Sequence, residues 1–137
     1  MEHAGCHQPG QSASTHGDRR IDAPAGVVEY YREIAPFYDA ELRDRDDLGF
    51  WRGIARRHRG GRILEIGAGT GRVTETLAPA ARALIAVDLS PEMLRLARAR
   101  LTGRSNVQLV RADMRELPFG VCSEALFDLI VAADDRR

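Results

Sequence analysis

The sequence predicts an α/β fold in which helices flank a parallel β-sheet. Three observations favour this prediction. Short apolar segments, typical of buried strands, alternate with segments of helical spacing. A glycine-rich turn at residues 67–71 directly follows the first of these strands. Carboxylates then stand at the ends of the next two strands, which is where ligands bind in parallel sheets.

Composition limits the size and class of the protein. The 137 residues allow one domain at most, and a hydrophobic fraction of 44% is enough for a core. Formal net charge is zero, from 20 basic and 20 acidic residues, so we expect no nucleic-acid footprint and no membrane partner. All basic residues are arginine, and the absence of lysine excludes Schiff-base and P-loop chemistry.

Cysteine usage points to a cytoplasmic protein. Cys6 and Cys122 lie far apart in the chain, so the sequence indicates no disulfide framework. No apolar run reaches 18 residues, and the polar N-terminus lacks the core of a signal peptide.

The first 60 residues divide into a tail and a helical cap. Residues 1–22 are polar and predict a disordered tail. A metal site can be imagined from His3, Cys6 and His7, but their spacing matches no zinc pattern, so we favour a solvated tail. Residues 23–60 form the predicted cap. Its first helix covers residues 25–35 and ends at Pro36, and its second covers residues 47–58.

The glycine turn lies between a strand and a helix. Residues 63–66 are apolar apart from Glu65 and predict a buried strand. Glycines follow at positions 67, 69 and 71, where the lack of a Cβ permits positive φ and a close approach by a ligand. Val73 and Leu77 have helical spacing, and Pro79 stops that helix.

The remaining elements continue the alternation. A second strand covers residues 83–87 and ends at Asp88. Ser90 is placed to cap the next helix, with Asp46 or Asp47 in the same position before the second cap helix. Gly103 closes the helix, and two more strands cover residues 107–110 and 127–132. Right-handed crossovers put the four strands in the order 3-2-1-4.

Four strand ends together carry a family resemblance. The chain reads Glu65-x-Gly67-x-Gly69-x-Gly71 at the first, Asp88-Leu89-Ser90 at the second, Ala112-Asp113-Met114 at the third, and Phe127-Asp128-Leu129-Ile130-Val131 at the fourth. In this order and spacing they resemble the motifs of class I S-adenosylmethionine (SAM)-dependent methyltransferases, over about residues 30–134. The resemblance implies a Rossmann-like three-layer sandwich and SAM as the cofactor.

The resemblance also implies which residues hold SAM. Asp88 would accept the ribose hydroxyls, Leu89 and Met114 would wall the adenine ring, and Asp113 would accept from its amine. Glu65 and the glycine turn would hold the methionyl part. The expected cofactor-binding residues are Glu65, Gly67, Ala68, Gly69, Thr70, Gly71, Asp88, Leu89, Asp113 and Met114. No catalytic residue and no metal site are assigned.

Each of these positions has a purely structural alternative. Asp88 could cap the following helix, Asp113 could be a solvated loop residue, and Glu65 could be a buried acid bonded to neighbouring amides. Leu89 and Met114 could belong to the core. Tyr38 either folds over the cofactor or packs within the cap.

The family pattern continues beyond the point where this sequence stops. Methyltransferases of this class have three more strands, so we expect residues 61–137 to be an incomplete SAM-binding half-domain, truncated or completed by another chain. The predicted activity is methyl transfer to a small molecule. One alternative is a non-catalytic remnant. A nucleotide-dependent oxidoreductase is a weaker alternative, because Arg72 replaces the third glycine of the dinucleotide pattern G-x-G-x-x-G.

Overall fold

A computed structural model of the chain describes residues 25–119 and 126–133. The predicted tail, with His3, Cys6 and His7, lies outside the described residues, as do Cys122 and residues 134–137. The described elements are, in chain order, α1 Ala25–Glu41, α2 Leu48–Arg57, β1 Arg62–Ile66, α3 Arg72–Leu77, β2 Ala83–Asp88, α4 Pro91–Arg100, β3 Val107–Arg111 and β4 Leu129–Ala132.

The four strands form one parallel sheet in the order β3-β2-β1-β4, which confirms the predicted fold class and strand order. β1 lies inside the sheet, and Glu65 stands opposite Ala86 of β2 and Val131 of β4. A strand covered on both faces needs apolar side chains on both, which explains why residues 63, 64 and 66 are all apolar.

Alternate residues of β1 divide the core between the two faces of the sheet. Ile63 packs in a cluster with Val73 and Leu77 of α3 and with Leu84 of β2. Leu64 points the other way, into a second cluster on the opposite face. The members of that second cluster are Leu64, Val87 and Ala112, with Ile66, Ile85, Val110, Leu117, Phe119 and Phe127 packed against them.

α4 follows its sequence signals closely. The hydroxyl of Ser90 accepts a hydrogen bond from the backbone N–H of Met93 at 3.3 Å, and Pro91 occupies the first turn. Met93, Leu94, Ala97 and Leu101, which have helical spacing, are all buried against the rest of the protein. The helix ends at Arg100, and Gly103 adopts a φ of +84° in the turn that follows.

The prediction that α1 ends at Pro36 is wrong. The helix continues through Pro36 to Glu41. An internal proline costs a helix about 3 kcal/mol, since it removes one backbone hydrogen bond and crowds the preceding turn. The added turn carries Tyr38 and Asp39, which contact the glycine turn and α4, and we attribute the continuation to these tertiary contacts.

Two smaller expectations also differ from the structure. The fourth strand begins at Leu129 instead of residue 127, because both the side chain and the backbone N–H of Asp128 form hydrogen bonds with Arg62 at the start of β1. Its carboxylate accepts from the backbone N–H of Arg62 at 2.7 Å, while its own N–H donates to the carbonyl of Arg62 at 2.8 Å. Asp47 occupies the N-cap position of α2, but its side chain makes no capping hydrogen bond.

Candidate functional site

The glycine turn between β1 and α3 has the backbone conformation that its composition predicts. Gly67, Gly69 and Gly71 have φ values of +75°, +56° and +83°, which side chains with a Cβ rarely adopt. The backbone N–H groups of Gly67 and Ala68 both donate to the carbonyl of Val87, at 2.8 and 3.0 Å. The turn is therefore fixed to the end of β2.

Asp88 joins this turn to the end of β2 through its side chain. One carboxylate oxygen accepts from the backbone N–H of Gly69 at 2.8 Å, and the other accepts from the N–H of Ser90 at 2.8 Å. Burial raises the pKa of Asp88 above its ordinary value, although the N–H groups of Ser90, Gly69 and Leu89 favour the ionised form. A carboxylate has about four acceptor positions, so these two bonds leave room for two donors from a ligand.

Glu65 lies two residues before the turn and is fully buried. Its two carboxylate oxygens are shielded from solvent by the surrounding protein. Because alternation along β1 puts Glu65 on the same face as Ile63, its side chain points toward the layer that contains α3.

The remaining turn residues have side-chain positions directed into the protein. Ala68 belongs to the core, and Thr70 is buried with its hydroxyl donating to Asp39 at 2.5 Å. A Cβ placed on Gly71 would lie 3.2 Å from side-chain atoms of both Ala97 and Leu101. Gly71 therefore allows α4 to pack closely against the start of α3, a role that the sequence interpretation did not assign to it.

The third strand end carries Asp113 and Met114. The Arg115 guanidinium binds both oxygens of Asp113, with a shortest N–O distance of 2.5 Å, and it lowers the pKa of that carboxyl to about 2. Met114 is 59% exposed, whereas Leu89 is half-buried and accepts a hydrogen bond from the Arg111 side chain through its carbonyl at 3.1 Å. Met114 is thus not an ordinary core residue.

Helix α1 of the cap contacts the glycine turn through two of its residues. The ring of Tyr38 lies 3.7 Å from the position of a Cβ built on Gly69. Asp39 accepts from the Thr70 hydroxyl and also pairs with Arg100 of α4. These contacts fix the end of α1 to both the turn and α4.

A second link joins the start of α2 to the start of α3. Arg72 donates two parallel hydrogen bonds to Asp47, at 2.7 and 2.9 Å, and the indole N–H of Trp51 reaches the same carboxylate at 3.4 Å. The bonds from Arg72 lower the pKa of Asp47, although burial opposes the shift. Arg72, which breaks the dinucleotide glycine pattern, is therefore a cap-anchoring residue.

Sequence reasoning gave no role around the candidate site to four polar residues, Asp39, Asp47, Arg100 and Arg115. Only the Asp113–Arg115 pair has a local signal, since the two residues are two apart in the chain. Asp39 is 31 residues from Thr70 and 61 from Arg100, so no local pattern could have joined them.

The described ranges, 25–119 and 126–133, contain no group of three or more His, Cys, Asp or Glu residues that could hold a metal ion. Within the same ranges, no helix is long and apolar enough to cross a membrane.

Comparison with known proteins gives a consistent family. The family model described as a methyltransferase domain matches residues 63–135, more than half of the chain. Demethylmenaquinone methyltransferase of Clavibacter sepedonicus is 34% identical over 102 residues, which cover 70% of this chain and 42% of that protein. A probable ribosomal RNA small subunit methyltransferase A of Methanosarcina mazei is 32% identical over 80 residues, which cover 50% of this chain and 30% of that protein.

Solved structures agree with the sequence matches. CalS10, a SAM-bound amino pentose methyltransferase from Micromonospora echinaspora, superposes with a TM-score of 0.57 and 33% identity. The match covers 71% of this chain and 41% of CalS10. The chain thus spans less than half the length of these relatives. The family model, the sequence relatives and the parallel sheet with its glycine turn together show that the chain belongs to the class I SAM-dependent methyltransferase family.

Proposed function

We propose that this protein is a methyltransferase that binds SAM at the carboxyl ends of β1, β2 and β3. The observation that carries the proposal is the direct hydrogen bond between Asp88 and the backbone of Gly69. It places a carboxylate with spare acceptor capacity against a turn whose glycines permit close approach. A nucleoside with adjacent hydroxyl groups matches that combination.

The nucleoside part of SAM would occupy the side of the site formed by β2 and β3. Asp88 would accept the two ribose hydroxyls with its remaining lone pairs, as charge-assisted bonds. Leu89 and the exposed Met114 would cover the adenine faces. Asp113 would accept from the adenine amine while it remains paired with Arg115, because a carboxylate has lone pairs for more than one donor.

The methionyl part would lie along the glycine turn. Gly67 and Gly69 would let it approach the backbone, and Glu65 would interact with its amino group, directly or through water. Ala68, Thr70 and Gly71 would contribute backbone contacts only, since their side-chain positions face the core, Asp39 and α4. Tyr38, whose ring lies beside Gly69, would close the site from the side of the cap.

Methyl transfer asks the protein chiefly for positioning. SAM supplies an activated methyl group on a sulfonium, so the reaction is an in-line displacement that needs no metal. The residues around the turn would orient the donor and exclude water, which are the main contributions to catalysis in such a reaction. A general base is required only where the acceptor must lose a proton.

The relatives support the cofactor more firmly than the acceptor. CalS10 is a SAM-bound structure, and its 33% identity over 71% of this chain supports a SAM site here. The names of the curated relatives indicate acceptors as different as demethylmenaquinone and ribosomal RNA. A small-molecule acceptor, expected from the sequence, therefore remains a prediction, and so does a cytoplasmic location.

Calorimetric titration of the 137-residue chain with S-adenosylhomocysteine, beside NADH, tests the proposal. We expect saturable binding of S-adenosylhomocysteine and none of NADH. Preferential binding of NADH would instead support the oxidoreductase alternative. A folded chain that binds neither ligand would contradict the SAM site. Methyl transfer to a candidate acceptor then separates an enzyme from a non-catalytic remnant.

A further inference from the structure

An arginine-lined groove runs over the surface between α2 and α3. It has a volume of about 390 Å³, and the basic residues that line it are Arg52, Arg56, Arg59 and Arg72. Glu75 is its only acidic lining residue in the part of the chain that the structure describes. Leu48, Ala55, Pro79 and Ala80 add an apolar floor. A chain of zero net charge thus concentrates positive charge at one place.

Three of these arginines are exposed and available to a ligand. Among residues 25–119 and 126–133, the side chains of Arg52, Arg56 and Arg59 have no hydrogen-bond or ion-pair partner. Arg72 differs, since it is paired with Asp47. Three nearby guanidinium groups with a single carboxylate between them repel one another, and a bound anion would relieve that repulsion.

The helix dipole does not account for this arrangement. A C-terminal dipole favours basic side chains only within the last turn, which in α2 includes Arg56. Arg52 lies one turn earlier, and Arg59 lies beyond the end of the helix. Arg52 and Arg56 are four residues apart, about 6 Å along the helix axis, so they present their guanidinium groups along one edge of the groove.

The groove adjoins a second groove near the glycine turn. It shares Leu48, Arg72 and Glu75 with this second groove of about 450 Å³, which is bordered by Asp39 and Arg100 beside the glycine turn. Arg43 borders this second groove and likewise has no side-chain partner among the described residues. Arg72, which lines both grooves, directly follows Gly71 in the chain.

We infer that this groove binds a ligand with two or more phosphate groups. Guanidinium groups match phosphate oxygens with paired hydrogen bonds, and the apolar floor suits the sugar or base that adjoins a phosphate. Two sources share this chemistry, a nucleoside diphosphate compound and an RNA strand. The inference does not rest on the proposed methyl transfer. The inference opposes the expectation of no nucleic-acid footprint, which was based on net charge alone.

Fluorescence anisotropy with a labelled single-stranded RNA, competed by uridine diphosphate or by inorganic phosphate, tests the inference on the full chain. The test variant is Arg52→Glu/Arg56→Glu, and the matched control is Arg98→Glu, an exposed arginine in the last turn of α4 that lines neither groove. Whichever probe binds the wild type should bind the double variant about tenfold or more weakly, and it should bind the control variant like the wild type. For RNA, the log–log salt slope should flatten by roughly 1.4, the value for two phosphate contacts.

The two probes separate the sources. Direct binding of RNA with weak competition by uridine diphosphate identifies a polynucleotide, and binding of uridine diphosphate alone, by calorimetry, identifies a nucleotide compound. Failure of both probes to bind, or equal binding by the double variant and the wild type, would overturn the inference. Titration with S-adenosylhomocysteine keeps the two proposals separate. Its binding without phosphate binding refutes only the groove, and phosphate binding without it refutes only the SAM site.

Discussion

The carboxylate of Asp88 accepts a hydrogen bond from the backbone N–H of Gly69 at 2.8 Å, across a sequence separation of 19 residues. The bond ties the end of β2 to the middle of the glycine turn. The second oxygen of the same carboxylate accepts a hydrogen bond from the backbone N–H of Ser90 at the start of α4. Asp88 thus positions the turn and the following helix, in addition to its proposed role as the ribose acceptor.

Replacing Asp88 with alanine should reduce both ligand binding and stability. The N–H groups of Gly69 and Ser90 would lose their acceptor, which we expect to lower the free energy of unfolding by about 1–3 kcal/mol. Because small domains have about 5–15 kcal/mol, the variant should stay folded but lose S-adenosylhomocysteine binding. Urea denaturation and calorimetry measure the two effects. Glu92→Ala, which removes a surface pair with Arg95, is the control, and unchanged affinity in Asp88→Ala would refute the ribose assignment.

The raised pKa of Asp88 predicts that ligand binding begins to weaken at a pH above 3.8, the ordinary pKa of the group. A carboxylate buried enough to have a raised pKa takes up its proton at a pH above 3.8, the ordinary value. The proton removes charge from the group that accepts the ribose hydroxyls, so affinity for S-adenosylhomocysteine should fall as pH is lowered from 7 toward 4. The raised pKa also means that protonated Asp88 stabilises the fold below pH 3.8. This contribution is lost as pH rises through the pKa of Asp88 in the folded state. An affinity that is constant down to pH 4 would argue against ionised Asp88 as the acceptor.

The Asp47–Arg72 pair predicts a separate contribution to acid sensitivity. Its lowered pKa means that Asp47 stabilises the fold above pH 3.8 and that this contribution is lost as pH falls through the folded value. The pair is partly exposed, so we expect a contribution on the order of 0.5–1 kcal/mol. Urea denaturation at pH 6 and below pH 3.8 should show a smaller pH effect in Asp47→Asn than in the wild type. Equal pH dependence in both proteins would show that the cap pair does not stabilise the fold.

Gly71→Ala should destabilise the protein, since the residue has a φ of +83° and its Cβ would lie 3.2 Å from Ala97 and Leu101. Strain and overpacking together should lower the free energy of unfolding by about 2–4 kcal/mol. Gly53→Ala is the matched control. That glycine lies within α2 with open space around its Cβ position, so alanine should stabilise by about 0.5–1 kcal/mol. Thermal or urea denaturation measures the stability of both variants, and equal changes in the two would contradict the packing role of Gly71.

Asp39→Ala should loosen the cap from the glycine turn. The buried hydroxyl of Thr70 loses its acceptor and Arg100 loses its partner, which should lower the free energy of unfolding by about 1–3 kcal/mol. A double-mutant cycle with Thr70→Val isolates the first contact. Hydrogen exchange should also rise in α1 beyond Pro36 more than in the sheet. Uniform exchange throughout the chain would show that Asp39 does not hold the cap locally.

Local patterns predicted the sheet and the turn because their causes are local. Residues 63–66 and 83–87 are apolar enough to be central strands, and the structure places both inside the sheet. Three glycines in alternate positions predicted positive φ, and all three adopt it. Ser90 and Pro91 fixed the start of α4, because both act on the first turn of the helix that they begin.

The sequence by itself determined the fold class, the strand order, the family and the strand ends that meet at the candidate site. Tertiary structure alone decided that α1 continues past Pro36, that Gly71 serves the packing of α4, and that Arg72 anchors Asp47. It also decided that Arg52, Arg56 and Arg59 line one groove. The division has a physical reason. Backbone conformation and strand burial follow from neighbouring residues. The hydrogen bonds that Asp39 and Asp47 accept join residues 25 to 61 positions apart, so they form only after the elements pack.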